Sequence, residues 1–170
     1  MSGCGVSMAK TVWIDSGISE LINAFEKASD KDMEEIAGTA IYAMANEVAN
    51  QVKANISALA TSADKDYKGN SKYLIPESQK RGLIESFGIA KMRASDGGWN
   101  VKLGFDGYNN VTTKTYPNGQ PNALIARLTE SGSTYRIKQP FFRPALNATK
   151  ASAKQRGEEA IMKEFDKIFK

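Results

Sequence analysis

The chain has 170 residues, 41% of them apolar and 25% charged, which suits one domain built around a single core. It holds no histidine and one cysteine, Cys4, so the commonest general base and metal ligand are missing and an internal disulfide is excluded. The net charge of +4 is unevenly spread: residues 1–60 carry four Lys/Arg against eight Asp/Glu, and residues 61–170 carry nineteen against eleven. An acidic part followed by a basic part suits a subunit that meets copies of itself or an oppositely charged neighbour. Polar residues interrupt every apolar stretch before it could span a bilayer, and Met1 to Lys10 hold no run of secretory length. The expectation is cytoplasmic synthesis and no membrane partner.

Ile18, Leu21, Ile22 and Phe25 recur at i, i+3, i+4 and i+7, which predicts a short amphipathic helix capped by Ser16 or Ser19. Ser29-Asp30-Lys31-Asp32 reads as a break and a new cap. A longer helix is predicted from Lys31 to Leu59, with Met33, Ile36, Ala37, Ala40, Ile41, Met44, Val48, Val52 and Ile56 on its apolar face. The alanines Ala40, Ala43, Ala45, Ala49 and Ala54 keep it slim enough for another element to approach closely. Residues 61–76 are polar and aperiodic and predict an exposed loop, with Tyr67 and Tyr73 its only aromatics.

From Leu83 the period becomes two. Phe87 and Ile89, a turn at Ser95-Asp96-Gly97-Gly98, and the alternation of Trp99, Val101, Leu103 and Phe105 predict a β-hairpin. Residues 106–121 predict a second exposed loop, with a short strand around Val111 to Tyr116. Ala123 to Thr129 predicts a short helix, and Gly132 is placed just beyond its end with a positive φ. Pro140 to Pro144 is a rigid corner, with Pro144 opening a final helix that carries Leu146, Ala153, Ala160, Ile161, Phe165 and Ile168 on one side. The whole predicts a single α+β domain over residues 1–170, its long helices packed on a small antiparallel sheet.

Motifs of chemistry are sparse. Lys68-Gly69-Asn70-Ser71-Lys72 echoes a phosphate-binding loop but lacks the strand that should precede it, and Gly97-Gly98-Trp99 belongs to a hairpin. Glu34 with Glu35, and Asp64 with Asp66, read as solvated charge and not as metal ligands. No facing pair of acids and no Gly-x-Ser-x-Gly elbow is present. The reading is therefore no catalytic residues, no cofactor, no metal and no enzymatic activity. Between residues 61 and 95, seven Lys/Arg mix with Tyr67, Tyr73 and four acids, a net of +3. That stretch supports an alternative of another class, a basic nucleic-acid-associated protein, though no helix-turn-helix, RNA-recognition or zinc signature accompanies it.

Two stretches carry a resemblance. One is Pro76-Glu77-Ser78-Gln79-Lys80-Arg81-Gly82-Leu83-Ile84-Glu85-Ser86-Phe87, before the hairpin. The other is Ile125-Ala126-Arg127-Leu128-Thr129-Glu130-Ser131-Gly132-Ser133, followed by Gln139-Pro140-Phe141-Phe142-Arg143-Pro144-Ala145-Leu146. Over roughly residues 20–170 the chain resembles the phage tail-component family of neck and tail-completion proteins, the minor-tail-protein-Z type. The corner Pro140, Phe141, Arg143, Pro144 and Ala145 is the most specific match. Ala126, Glu130 and Gly132 match the family's middle motif, with Ser133 in place of threonine and Ile125 in place of tyrosine. Leu83 and Ser86 keep the spacing of the first motif, while Gly82 falls one residue late and an Asp-Thr pair is missing.

The resemblance implies a structural virion protein of a tailed phage or phage-like particle. It would form a homo-oligomeric ring at the head-proximal end of the tail, between head-closure or collar proteins and the tail tube or its terminator. DNA would pass through the channel as cargo only. A tail terminator ring capping the tube is the alternative within the class. The two loops would be insertions. At the corner, Phe141 or Phe142 should be buried between the last helix and the hairpin, against Trp99, Val101 or Leu103. Arg143 should project, pairing with Glu130 or with a neighbouring subunit.

Overall fold

The computed structural model describes residues 29–63, 73–95 and 98–169. The helix expected at Ile18 to Phe25 lies outside these, as does most of the 61–76 loop. Helix α1 (Asp30–Ser57) is followed by the two-residue strands β1 (Thr61–Ser62) and β2 (Ile75–Pro76) and by helix α2 (Glu77–Ser86). Strands β3 (Phe87–Ile89), β4 (Arg93–Ser95), β5 (Gly98–Asn100) and β6 (Leu103–Phe105) come next, then helices α3 (Asn122–Ser131) and α4 (Phe142–Phe169). This is the α+β architecture expected, helices on small sheets. One pair departs from it: β1 and β2, inside the stretch read as loop, pair in parallel.

Helix α1 begins where its sequence permits. Ser29 Oγ accepts from the Asp32 amide at 3.2 Å, and the Asp32 carboxylate takes the Ser29 amide at 3.0 Å, so each satisfies an amide that the first turn leaves free. Helices α1 and α4 are 28 residues each, about 42 Å at 1.5 Å per residue. They form an antiparallel hairpin. Asn55, near the end of α1, donates to the Phe141 carbonyl at the start of α4 at 2.9 Å, and Met44 lies level with Gly157. A Cβ on Gly157 would stand 2.7 Å from Met44 Cγ, so the glycine is what lets the helices approach at that level.

That approach corrects the faces read from periodicity. Ala45 and Ala49 are buried on α1 while Met44 is 39% exposed. On α4 the buried line is Ala145, Thr149, Ala153, Gly157, Glu164 and Phe165, and Leu146 is exposed. Small residues, which carry little weight in an apolar pattern, form the seam between the long helices.

Helix α2 was hidden from periodicity because it buries only Gln79 and Leu83. Pro76 precedes it in extended conformation, which fixes the entry of the chain. The predicted hairpin forms but is broken in two. Phe87 pairs with Phe105 and Ile89 with Leu103, whereas Arg93 pairs with Asn100 and Ser95 with Gly98. Three residues separate the two ladders on the first arm and two on the second, so one residue is extra, a bulge. The displaced amide of Met92 is satisfied by Tyr42 Oη of α1 at 2.8 Å. The bulge therefore tethers the ribbon to the long helix.

The second loop also differs from its reading. Val111 to Tyr116 forms no strand; Thr113 and Tyr116 exchange amide–carbonyl bonds at 3.0 and 3.1 Å and close a turn. The loop's return is not exposed, since Gly119 and Gln120 are buried. The core holds Val52 and Ile56 of α1, Ile75 of β2, Leu83 of α2, Phe87 of β3, Ile125 and Ala126 of α3, and Phe141 and Ala145 at the last corner. Each fully buried aliphatic or Phe side chain stabilises by about 1.5–3 kcal/mol. Residues from every motif of the resemblance therefore meet in one cluster.

Candidate assembly joint

The joint is built where α3 ends and α4 begins. Gly132 closes α3 with φ 76° and ψ 171°, a conformation open to glycine alone, and its amide donates to the Leu128 carbonyl at 2.9 Å. Space is tight as well, since a Cβ there would stand 3.0 Å from Lys138 Cβ and the Lys138 segment would have to give way. The chain can thus turn back on α3, and Gln139 N donates to the Thr129 carbonyl at 2.8 Å.

Glu130 fixes where the last helix starts. Its Oε2 accepts from the amides of Phe141 and Phe142, both at 2.8 Å, and its Oε1 accepts from the amide of Arg143 at 3.1 Å. Three amides that a helix start leaves without partners are met by one carboxylate, whose charge also opposes the positive end of the helix dipole. Helix α4 accordingly begins at Phe142, two residues before the expected start at Pro144. Pro144 lies within the first turn, where a missing N–H still leaves no bond unmade.

The pairing of Glu130 with the Arg143 side chain is thereby corrected. Glu130 contacts Arg143 through the backbone amide, and the Arg143 side chain is exposed. Phe141 is buried at 1% exposure, with its ring edge-on to Phe105 at 6.0 Å. Phe142 meets Phe87 edge-on at 6.2 Å, and Phe87 stacks at a tilt on Phe105 at 5.0 Å. The corner is buried against the β3–β6 pair as expected. Of the three partners named for it, only Leu103 packs on this cluster; Trp99 and Val101 are half-buried outside it.

The remaining motif residues divide in two. Leu83, Ala126 and Ala145 pack in the same core as Phe141. Ser86 ends α2 with its Oγ toward the Leu83 carbonyl, and Pro140, Arg143 and Pro144 face solvent.

Sequence reading missed the polar residues that brace the joint. Gln139 Nε2 donates to the Ala60 carbonyl just before β1 at 2.9 Å, and its Oε1 accepts from Ile75 N of β2 at 3.3 Å, tying the joint to the chain on either side of the parallel pair. Buried Arg136 donates to Gln79 Oε1 at 2.6 Å and to Thr129 Oγ1 at 3.4 Å, linking α2 to α3. An arginine in a polar run reads as surface charge, and only the surroundings show it to be interior.

Among the described residues no three His, Cys, Asp or Glu are placed to hold a metal ion, and no helix is long and apolar enough to cross a membrane. Comparison of the chain with protein-family models, with curated proteins and with solved structures finds no match.

Proposed function

We propose that this chain is a structural subunit of a tailed phage or phage-like particle, a neck or tail-completion component that assembles as a ring at the head-proximal end of the tail. The observation that supports this reading is the Glu130 cap. Two motifs of the resemblance, separated in sequence by residues 134–139, become one joint when the carboxylate of the first takes the amides of the second. The motif pattern then has a physical meaning: glutamate, glycine and the Pro-Phe corner specify together how the last helix leaves the core. A subunit whose neighbours read its shape needs such a fixed joint.

The test is a reconstruction of particles purified from cells that carry this gene, with the subunit located in the density. A ring of copies around the channel at the top of the tail is expected. A single isolated copy per particle, or particles that lack the protein altogether, would overturn the reading. Density capping the tube itself would identify the subunit as the terminator instead.

A further inference from the structure

The α1–α4 hairpin is electrically polar along its length. Take the level at which Met44 meets Gly157 as its waist. Toward the open end, residues 30–44 and 157–169 hold eight acids against three bases, a net of −5. Toward the joint, residues 45–57 and 142–156 hold five bases and one acid, a net of +4. Asp30, Glu34 and Glu35 are exposed at one end, and Lys53, Arg143 and Lys150 are exposed at the other.

Helix stability accounts for half of this pattern and opposes the other half. Acids in the first turn of α1 suit its dipole. Helix α4 runs the other way, so the same segregation puts Arg143 and Lys150 at its positive end and Glu158, Glu159, Glu164 and Asp166 toward its negative end, with Lys167 the exception. Three ion pairs sit at the waist, Lys154–Glu158 at 3.6 Å, Arg156–Glu159 at 3.5 Å and Arg156–Glu47 at 4.0 Å, and a fourth, Lys167–Glu164 at 2.9 Å, lies toward the open end. Asp30, Glu34 and Glu35 at one end and Lys53, Arg143 and Lys150 at the other take part in none of these pairs. A charge arrangement that works against its own helix points to something outside the subunit.

We propose that the acidic open end of the hairpin docks on the basic joint end of a second copy of this chain, head to tail. The two patches lie at opposite ends of one rod, so the contact is heterologous. Copies joined this way close into a ring or extend as a filament, according to the rotation between them. Opposed potentials of this kind set register and speed encounter, and they weaken as salt screens them over a Debye length of about 8–10 Å. The proposal rests on reading the chain as a ring-forming subunit and adds which surfaces meet.

The experiment uses two charge-reversed forms of the full chain. One carries Glu34→Lys, Glu35→Lys and Glu158→Lys, which takes the open end from −5 to +1, since each change adds two charges. The other carries Lys53→Glu, Lys150→Glu and Lys154→Glu, which takes the joint end from +4 to −2. All six positions are exposed, and thermal melts check that both forms fold. Sedimentation at low salt is expected to show self-association of the native chain, weakened at least about tenfold in either form alone and restored when the two are mixed. A native chain that stays monomeric, reversed forms that associate as the native chain does, or a mixture that stays apart would each overturn the contact. The contact and the phage reading fail separately. If mixing restores association and particles lack the subunit, the contact stands and the phage reading falls. If particles built from either reversed form still hold the ring, the contact falls and the phage reading stands.

Discussion

The two long helices of this protein start in the same chemical way and are held there by different parts of the molecule. Helix α1 is capped from within: Ser29 and Asp32, three residues apart and exposed, satisfy each other's amides. Helix α4 is capped from elsewhere: Glu130, eleven to thirteen residues back and on another helix, takes the amides of Phe141, Phe142 and Arg143. A local cap governs whether one turn frays. A cap brought by another element governs whether two elements stay joined, because losing it frees the turn that seats Phe141 in the core.

This contrast is best broken first at its most buried point. Phe141→Ala removes a ring at 1% exposure that packs edge-on to Phe105, and should cost about 3–5 kcal/mol in chemical denaturation. Arg143→Ala, two residues on and exposed, should stay within about 0.5 kcal/mol of the native chain. An Arg143 variant that melts as low as the Phe141 variant would mean that the side chain works inside the subunit.

Glu130→Ala comes next. It strips three amides of their acceptor at a half-buried site, and about 2–3 kcal/mol is expected. Glu130→Gln keeps one acceptor oxygen without the charge and should fall between the two. If the alanine variant is as stable as the native chain, water replaces the carboxylate freely and the cap does not hold the joint. Gly132→Ala should rank after it at about 1–3 kcal/mol, since it forces a side chain into a glycine-only conformation. A crystal structure of that variant should show the Lys138 segment displaced.

How much of the fold was legible in the sequence depends on the same division between local and distant causes. The Ser29 cap, the long α1, the hairpin and the positive φ of Gly132 all depend on neighbours in sequence, and residue spacing reveals them. Helix α2 escaped because it is mostly polar and buries only Gln79 and Leu83, with Ile84 partly buried against the core. The bulge at residues 90–92 escaped because its stabilising partner, Tyr42, is 50 residues away. Of the candidate site, the Pro-Phe corner and its buried ring were legible from composition alone, since adjacent phenylalanines must bury. The role of Glu130 was not: a glutamate near an arginine suggests a salt bridge, and only the folded geometry aims the carboxylate at backbone amides. Arg136 and Gln139 were silent for the same reason.

The smallest effect sharpens the comparison from the other side. Ser29→Ala removes the hydroxyl that accepts from the Asp32 amide and donates to its carboxylate at 2.7 Å, and should cost about 1 kcal/mol at neutral pH. The consequence should be local: hydrogen exchange should quicken at Asp32 in the first turn of α1, while α3 and α4 stay protected. In Glu130→Ala the loss should instead spread across both helices of the joint. The two caps also differ in what acid does to them. Hydrogen bonds from the Ser29 side chain and backbone hold the Asp32 carboxyl below its ordinary value. A folded-state value below the unfolded one gives stability that is present above the unfolded value, about 4 for an aspartate, and is lost as pH falls through the folded one. The gap between the native chain and the Ser29 variant should therefore hold steady at neutral pH and narrow below about pH 4, as Asp32 protonates and its share of the cap disappears from both. A gap unchanged by acid would mean that the hydroxyl acts on the Asp32 amide alone, and that its bond to the Asp32 carboxylate contributes nothing to holding the start of α1.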